Sequence, residues 1–396
     1  MHATTRMLTP GLYRACVLAT FLGGIALTLL LDPIRWDFPD NLHYAAMASG
    51  TWRIGDAGLP VLEPFANRVL APLLAGLLAR STGLDVMTAM AVINGAALIL
   101  IGLVVAAYFE RKTVPLSAAL TVAAMPIFGT LALFAATVDA LFVLVTIVAL
   151  IAAFELRRTL TAPLALTALL LRESFIAYYP FLVVRDLLRG AWLQVAALIA
   201  VAVLAVTLIE LAKPYETSNI HNMSGLAYLI LKIPVNLIKN LLGITFWTNT
   251  KSWCVDPFLT FDVRWLPGLG DVKTVGICTP TPNRAINTLI NFLCIFGIVP
   301  LLVARDGLRD AIPRTLRPTD DALDRLTAFW AAAFFFLLAP GLGSTESGSN
   351  FGRLFIYVVP CLVVLVPRLR CVAWGWWPLP ATIAIGLAYR LALPGT

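Results

Sequence analysis

Apolar stretches close to twenty residues long alternate along the chain with short polar breaks that carry most of its charge. An α-helix rises about 1.5 Å per residue, so about 20 apolar residues cross the hydrocarbon core of a bilayer. Stretches of that kind fall at residues 12–31, 86–108, 115–134, 136–156, 191–213, 285–304, 322–340, 351–367 and 372–393. The first has Arg6 and Arg14 beside its start and no small-residue cleavage site after it. It reads as a retained anchor rather than a removed signal peptide, with a cytoplasmic N-terminus.

Three further segments are ambiguous, and the preference of Lys and Arg for cytoplasmic loops arbitrates them. Counting residues 64–81, "PFANRVLAPLLAGLLARS", as a crossing would export Arg111 with Lys112 and then Arg157 with Arg158, so this segment reads as an interfacial helix. Residues 161–184 would bury Arg172 and Glu173 at the centre of a span, at a cost of several kcal/mol. Two short helices meeting at Arg172–Glu173 avoid this and keep Arg185 and Arg189 inside. Residues 225–247 carry a polar stripe of Lys232, Asn236 and Lys239, the spacing of an interfacial amphipathic helix. The expected architecture is an all-α polytopic membrane protein, a single transmembrane domain over 1–396 with about eleven membrane-inserted helices. Its N-terminus is inside and its C-terminus outside. The first outer loop (32–85), Asp139, Arg172–Glu173, the long loop 214–284 and "GLGSTESGSNFGR" (341–353) then share the outer face.

Composition agrees: 60% of the 396 residues are apolar and 13% charged, against roughly 45–50% and about 25% in soluble domains. The net charge of +7 belongs to the cytoplasmic loops, and no basic patch with interleaved aromatics points to nucleic acid. The six cysteines have no metal-binding spacing. There is no GxSxG, HExxH or P-loop lysine motif.

Chemistry therefore concentrates among outer-face charges. Asp37 and Asp40 precede "NLHYAAMASG", which reads as a short helix. A carboxylate in a partly apolar recess can take a proton from an acceptor hydroxyl, and Asp40 also suits a helix cap. Asp139, in "FAATVDALFVLV", has the same two readings. Arg172 suits a phosphate through its planar five-donor fork, although it can equally pair with Glu173. Arg353 is a second phosphate candidate or a snorkelling arginine. His43, Tyr44, Arg68, Tyr178 and Glu173 complete the candidate binding set; His43 reads as an ordinary polar contact or a base, and Tyr178 as an interfacial aromatic or a sugar platform.

"DNLHYAAMASG", "PFANRVLAPLLAGLL", "ATVDALFVLVTIVAL" and "LTALLLRESFIAYYPFLVV", within residues 10–190, together resemble the GT-C superfamily of integral-membrane glycosyltransferases, especially bacterial enzymes that use polyprenyl-phosphate sugars. The resemblance implies Asp40 or Asp37 as the first-loop acid, Asp139 as the second-loop acid and Arg172 as a donor-phosphate ligand. It implies transfer to a glycan, lipid or protein acceptor on the extracytoplasmic face of a bacterial inner membrane. Asp40 and Asp139 could share Mg²⁺ or Mn²⁺, hard cations that prefer oxygen ligands. A transporter or flippase of lipid-linked saccharides and a membrane acyltransferase using His43 are the alternatives. In an oxidising outer compartment a disulfide between Cys254 and Cys278 would staple the long loop, where Asp256, Asp262 and Arg264 could touch the acceptor.

Overall fold

The computed structural model describes residues 9–55, 58–62, 65–155, 158–214, 225–244, 246–248, 257, 259–265, 272–278, 282–308, 319–342, 353, 355–369 and 374–392. The helices in chain order are α1 Pro10–Leu31, α2 Pro39–Ser49, α3 Leu70–Thr82, α4 Val86–Arg111, α5 Leu116–Ala123, α6 Ile127–Leu133, α7 Asp139–Phe154 and α8 Arg158–Leu171. They continue as α9 Tyr179–Leu188, α10 Trp192–Ala212, α11 Gly225–Leu242, α12 Pro282–Phe296, α13 Val299–Leu308, α14 Asp320–Leu342, α15 Val358–Leu365 and α16 Pro378–Ala392. Among the described residues five segments are long and apolar enough to cross a membrane: α1, α4, the kinked pair α5–α6, α10 and α14. The chain is a mostly helical, polytopic integral membrane protein.

The expected eleven inserted helices are not found at full length. The stretch 285–304 is not one span: α12 and α13 meet at 93°, where Gly297 adopts φ +61, a conformation costly for residues with a Cβ. Counting that bent pair as one span gives six. The stretches expected at 136–156, 351–367 and 372–393 form shorter helices, the first of them 16 residues long, about 24 Å by the helical rise. The chain does break at Arg172, where α8 gives way to a 3₁₀ turn, Glu173–Tyr178, and then α9. Residues 65–82, read as an interfacial helix rather than a span, form a 3₁₀ turn, Phe65–Asn67, and the 13-residue α3.

Asn236, Lys239 and Asn240 of α11 turn toward the protein interior. Asn236 Nδ2 donates to the Gly341 carbonyl at 3.1 Å and Asn240 Nδ2 to that of Pro340 at 2.6 Å. The last carbonyls of a helix have no intrahelical donors, and these asparagines supply them for α14. Two small sheets complete the fold. β1 (Arg53–Ile54) pairs antiparallel with β2 (Leu59–Pro60). In the long loop β5 (Thr274–Ile277) lies between β3 (Phe246–Thr248) and β4 (Leu259–Asp262). Cys278, just after β5, is disulfide-bonded; Cys254 and Asp256 lie outside the described residues, as does most of 341–353. Asp262 and Arg264 pair with each other at 3.3 Å on the surface.

Lipid tails are as apolar as leucine, so helices in a bilayer associate through close packing at small residues. Here α1 meets α4 at Gly102, where a Cβ would lie 2.9 Å from Leu18 and Phe21 carbons, and meets α6 at Gly129, against Thr28. α3 meets α2 at Gly76, where a Cβ would lie 2.2 Å from the Ala48 carbonyl oxygen. On helix propensity alone Gly76→Ala should stabilise α3 by about 1 kcal/mol. The backbone contact reverses the sign: we expect destabilisation of about 1–3 kcal/mol, as for an overpacked core, read as a lower melting temperature in detergent. A higher one would rule out the close α2–α3 approach.

Candidate functional site

Local sequence explains how each charged side chain is presented. Phe38 and Pro39 start α2, so Asp40 sits in the first turn with its side chain free of capping duty. Asn41 Nδ2 donates to the Arg35 and Trp36 carbonyls, both at 3.1 Å, and the Arg35 amide donates to the Leu133 carbonyl at the end of α6 at 2.8 Å. Asp139 opens α7 directly after Val138 and likewise makes no side-chain cap. The turn before it is held by Asn94 of α4, whose Nδ2 donates to the carbonyls of Ala135, at 2.8 Å, and Thr137. Its Oδ1 accepts from the Leu141 amide at 3.1 Å.

These turns bring Asp40, Asp139, Arg172 and Arg353 into one chain of ion pairs. Asp139 is fully buried; its Oδ1 accepts from Arg172 and its Oδ2 from Arg353 Nε at 2.5 Å. Arg353 Nη1 reaches on to Asp40 Oδ2 at 2.6 Å. The side chain of Asp40 is 20% exposed, that of Asp139 1%, so accessibility rises along the chain toward Asp40. Aromatic faces, which attract cations, flank both arginines: Phe38 at 4.6 Å and Phe134 at 5.2 Å from Arg353, Tyr357 at 5.0 Å and Phe142 at 5.9 Å from Arg172. Arg172 Nε is buried with no hydrogen-bond partner.

Glu173 does not pair with its neighbour Arg172. It binds Arg68 through two contacts of 3.3 Å, while Arg68 Nη1 donates to the buried Tyr44 hydroxyl at 2.7 Å. His43 stacks on Phe65 at 4.3 Å, and its Nδ1 accepts from the Leu62 amide at 3.4 Å. Tyr178 is no surface platform: it is buried and donates to the Tyr357 carbonyl at 2.5 Å. Asp37 is exposed ahead of α2 and takes no part in the ion-pair chain. Sequence reasoning missed Asn94 and Tyr357. Asn94 had a signal, an amide inside an otherwise apolar helix; Tyr357, whose hydroxyl meets Ser174 Oγ at 2.9 Å, had none.

A shared Mg²⁺ or Mn²⁺ does not fit Asp40 and Asp139. Both oxygens of Asp139 are taken by guanidinium groups, and Arg353 stands between the two carboxylates. Among the described residues no cluster of three or more His, Cys, Asp or Glu could hold a metal ion. Two residues past Arg353 an apolar cavity of about 510 Å³ begins, walled by Phe355, Leu241 of α11, Ile286, Leu289 and Phe292 of α12, and Phe336 and Pro340 of α14. A second groove of about 300 Å³ runs between α1, residues 124–126 and α16, where Arg390 is tied to Asp32 at 2.9 Å. Compared with known proteins, the chain matches no family model, no curated protein and no solved structure.

Two predictions follow from the burial of these groups. Asp139→Asn removes the counter-ion shared by two buried arginines, and breaking buried pairs of this kind costs about 3–5 kcal/mol. We expect a markedly lowered melting temperature; an unchanged one would mean that Arg172 and Arg353 need no such partner. Burial also holds the His43 imidazole below its ordinary value, against the opposing pull of Asp40. The unfolded chain therefore binds a proton more readily than the folded one, so stability falls as pH drops through about 6.5. His43→Gln should flatten that part of a melting-temperature profile measured against pH, and an unaltered slope would assign the acid sensitivity elsewhere.

Proposed function

We propose that the chain is a membrane glycosyltransferase of the GT-C kind, moving a sugar from a polyprenyl-phosphate donor to an acceptor hydroxyl on the extracytoplasmic side of the membrane. The observation that supports this best is a partly exposed carboxylate, Asp40, joined through Arg353 and Asp139 to a second buried arginine, Arg172, with an apolar cavity whose wall begins at Phe355, two residues along the chain from Arg353. An isoprenoid chain suits the cavity, a phosphate suits Arg353 and Arg172, and a hydroxyl suits Asp40. In the reaction the acceptor hydroxyl gives its proton to the Asp40 carboxylate while its oxygen bonds to the anomeric carbon. The bond from that carbon to the phosphate oxygen breaks, and its electron pair leaves with the lipid phosphate, whose charge the arginines stabilise in a site already organised for it. Asp139 touches neither substrate in this scheme; it positions both guanidiniums.

The right-angle break between α12 and α13 favours a second reading, a transporter of a lipid-linked saccharide, since broken helices recur at transporter sites. One experiment separates the two. Purified protein in proteoliposomes is given a panel of polyprenyl-phosphate sugars with acceptor lipids and glycans, and products are read by mass spectrometry. Glycosyl transfer is expected in the wild type and none in Asp40→Asn, with melting temperature nearly unchanged because the amide is isosteric and the position partly exposed. Transport without transfer would select the second reading, and full transfer by Asp40→Asn would remove Asp40 as the base.

A further inference from the structure

The three arginines of the site, Arg68, Arg172 and Arg353, face three carboxylates, Asp40, Asp139 and Glu173. Among the described residues the site is thus electrically complete before any phosphate arrives. An incoming phosphate must either add an uncompensated negative charge at a buried position, which is costly, or take the place of a carboxylate already there. The three carboxylates are not equally replaceable. Asp139 uses both oxygens on two buried arginines and is itself fully buried. Glu173 belongs to the separate Arg68–Tyr44 branch. Asp40 reaches Arg353 through one oxygen, from the first turn of a helix, with a fifth of its side chain open.

We propose that Asp40 is the displaceable counter-ion of Arg353: the donor phosphate replaces it, and the same exchange frees its carboxylate for the acceptor hydroxyl. Arg353 stays in place through the exchange, held on its other side by Asp139 and against the rings of Phe38 and Phe134. Only Asp40 has to move, by a side-chain rotation toward solvent. Arg172 Nε, buried and without a partner, adds a second donor to the incoming phosphate. Binding is then ordered. Without donor, Asp40 remains paired with a guanidinium and is a poor base, so water is not activated; with donor bound, the base is released where the sugar sits. This rests on the phosphate-binding reading of the site and assigns it an internal competitor.

The test measures binding alone. Undecaprenyl phosphate is titrated onto the full-length protein in dodecylmaltoside, with affinity read by native mass spectrometry and folding by thermal melts. Removing the competitor in Asp40→Asn should tighten binding about tenfold, the worth of one charge-assisted hydrogen bond. Arg353→Gln should weaken it, and adding Asp40→Asn to Arg353→Gln should then give no gain. Asp40→Ser replaces the asparagine variant if that one melts early. Equal or weaker binding by the Asp40 variants, with clear binding by the wild type, would overturn the exchange and leave the phosphate site standing. Absence of binding by both wild type and Asp40 variants would overturn the phosphate reading itself, and the exchange with it.

Discussion

One fully buried carboxylate, Asp139, sets the terms for the surrounding structure. Desolvating an ion pair is expensive, and such a pair persists only where geometry is good and the remaining hydrogen-bonding positions are filled. Here both oxygens are filled by arginines from distant parts of the chain, and the backbone that delivers the carboxylate is braced by Asn94. Aromatic faces replace the hydration that Arg172 and Arg353 have lost. The packing of α4, α7, the Arg172 break and the residues before α15 is coupled at this point: none can shift without stranding a charge.

From that fixed centre order decreases outward. Asp139 has two strong contacts and no exposure, Arg353 is shared between two acids, and Asp40 has one contact and an open flank. Rigid groups suit charge stabilisation, since they need not reorganise as charge develops. A group that must accept a proton has to move into hydrogen-bond reach of its substrate. In the proposed reaction the gradient would supply both within a few ångströms, with carboxylates of identical chemistry distinguished only by surroundings.

Much of this was legible in the chain. Apolar runs marked the helices, and the cost of burying Arg172 with Glu173 marked the break between α8 and α9. The residues that form the ion-pair chain were all visible as charges that the helix count gathers on the outer face. Their partners were not. Asp40 and Asp139 looked like helix caps, and Arg172 looked paired with Glu173, because local spacing favours near neighbours; Arg353 lies 313 positions from Asp40, and periodicity carries no information at that range. The length of a run also misled where proline or glycine intervened: the bend at Gly297 was counted as continuous. Asn236 of α11 read as part of the polar stripe of an interfacial helix, and it serves a carbonyl of α14. The three-stranded sheet escaped because its strands are three or four residues long.

The order in which these charges occur along the chain bears on how the protein enters its membrane. Asp139 and Arg172 stand 33 positions apart, on either side of the hairpin formed by α7 and α8. They can neutralise each other as soon as that hairpin has emerged, so neither need enter lipid as a bare ion. Arg353 is synthesised 214 positions after Asp139, once α14 is already made. Until then Asp40 lacks Arg353, and of the site's four ion pairs only Arg172–Asp139 and Arg68–Glu173 can form. A ribosome that stops short of the last fifty residues would leave a bundle able to sit in the bilayer and unable to complete its charged seam, so assembly of the site reports that synthesis has reached the C-terminal helices.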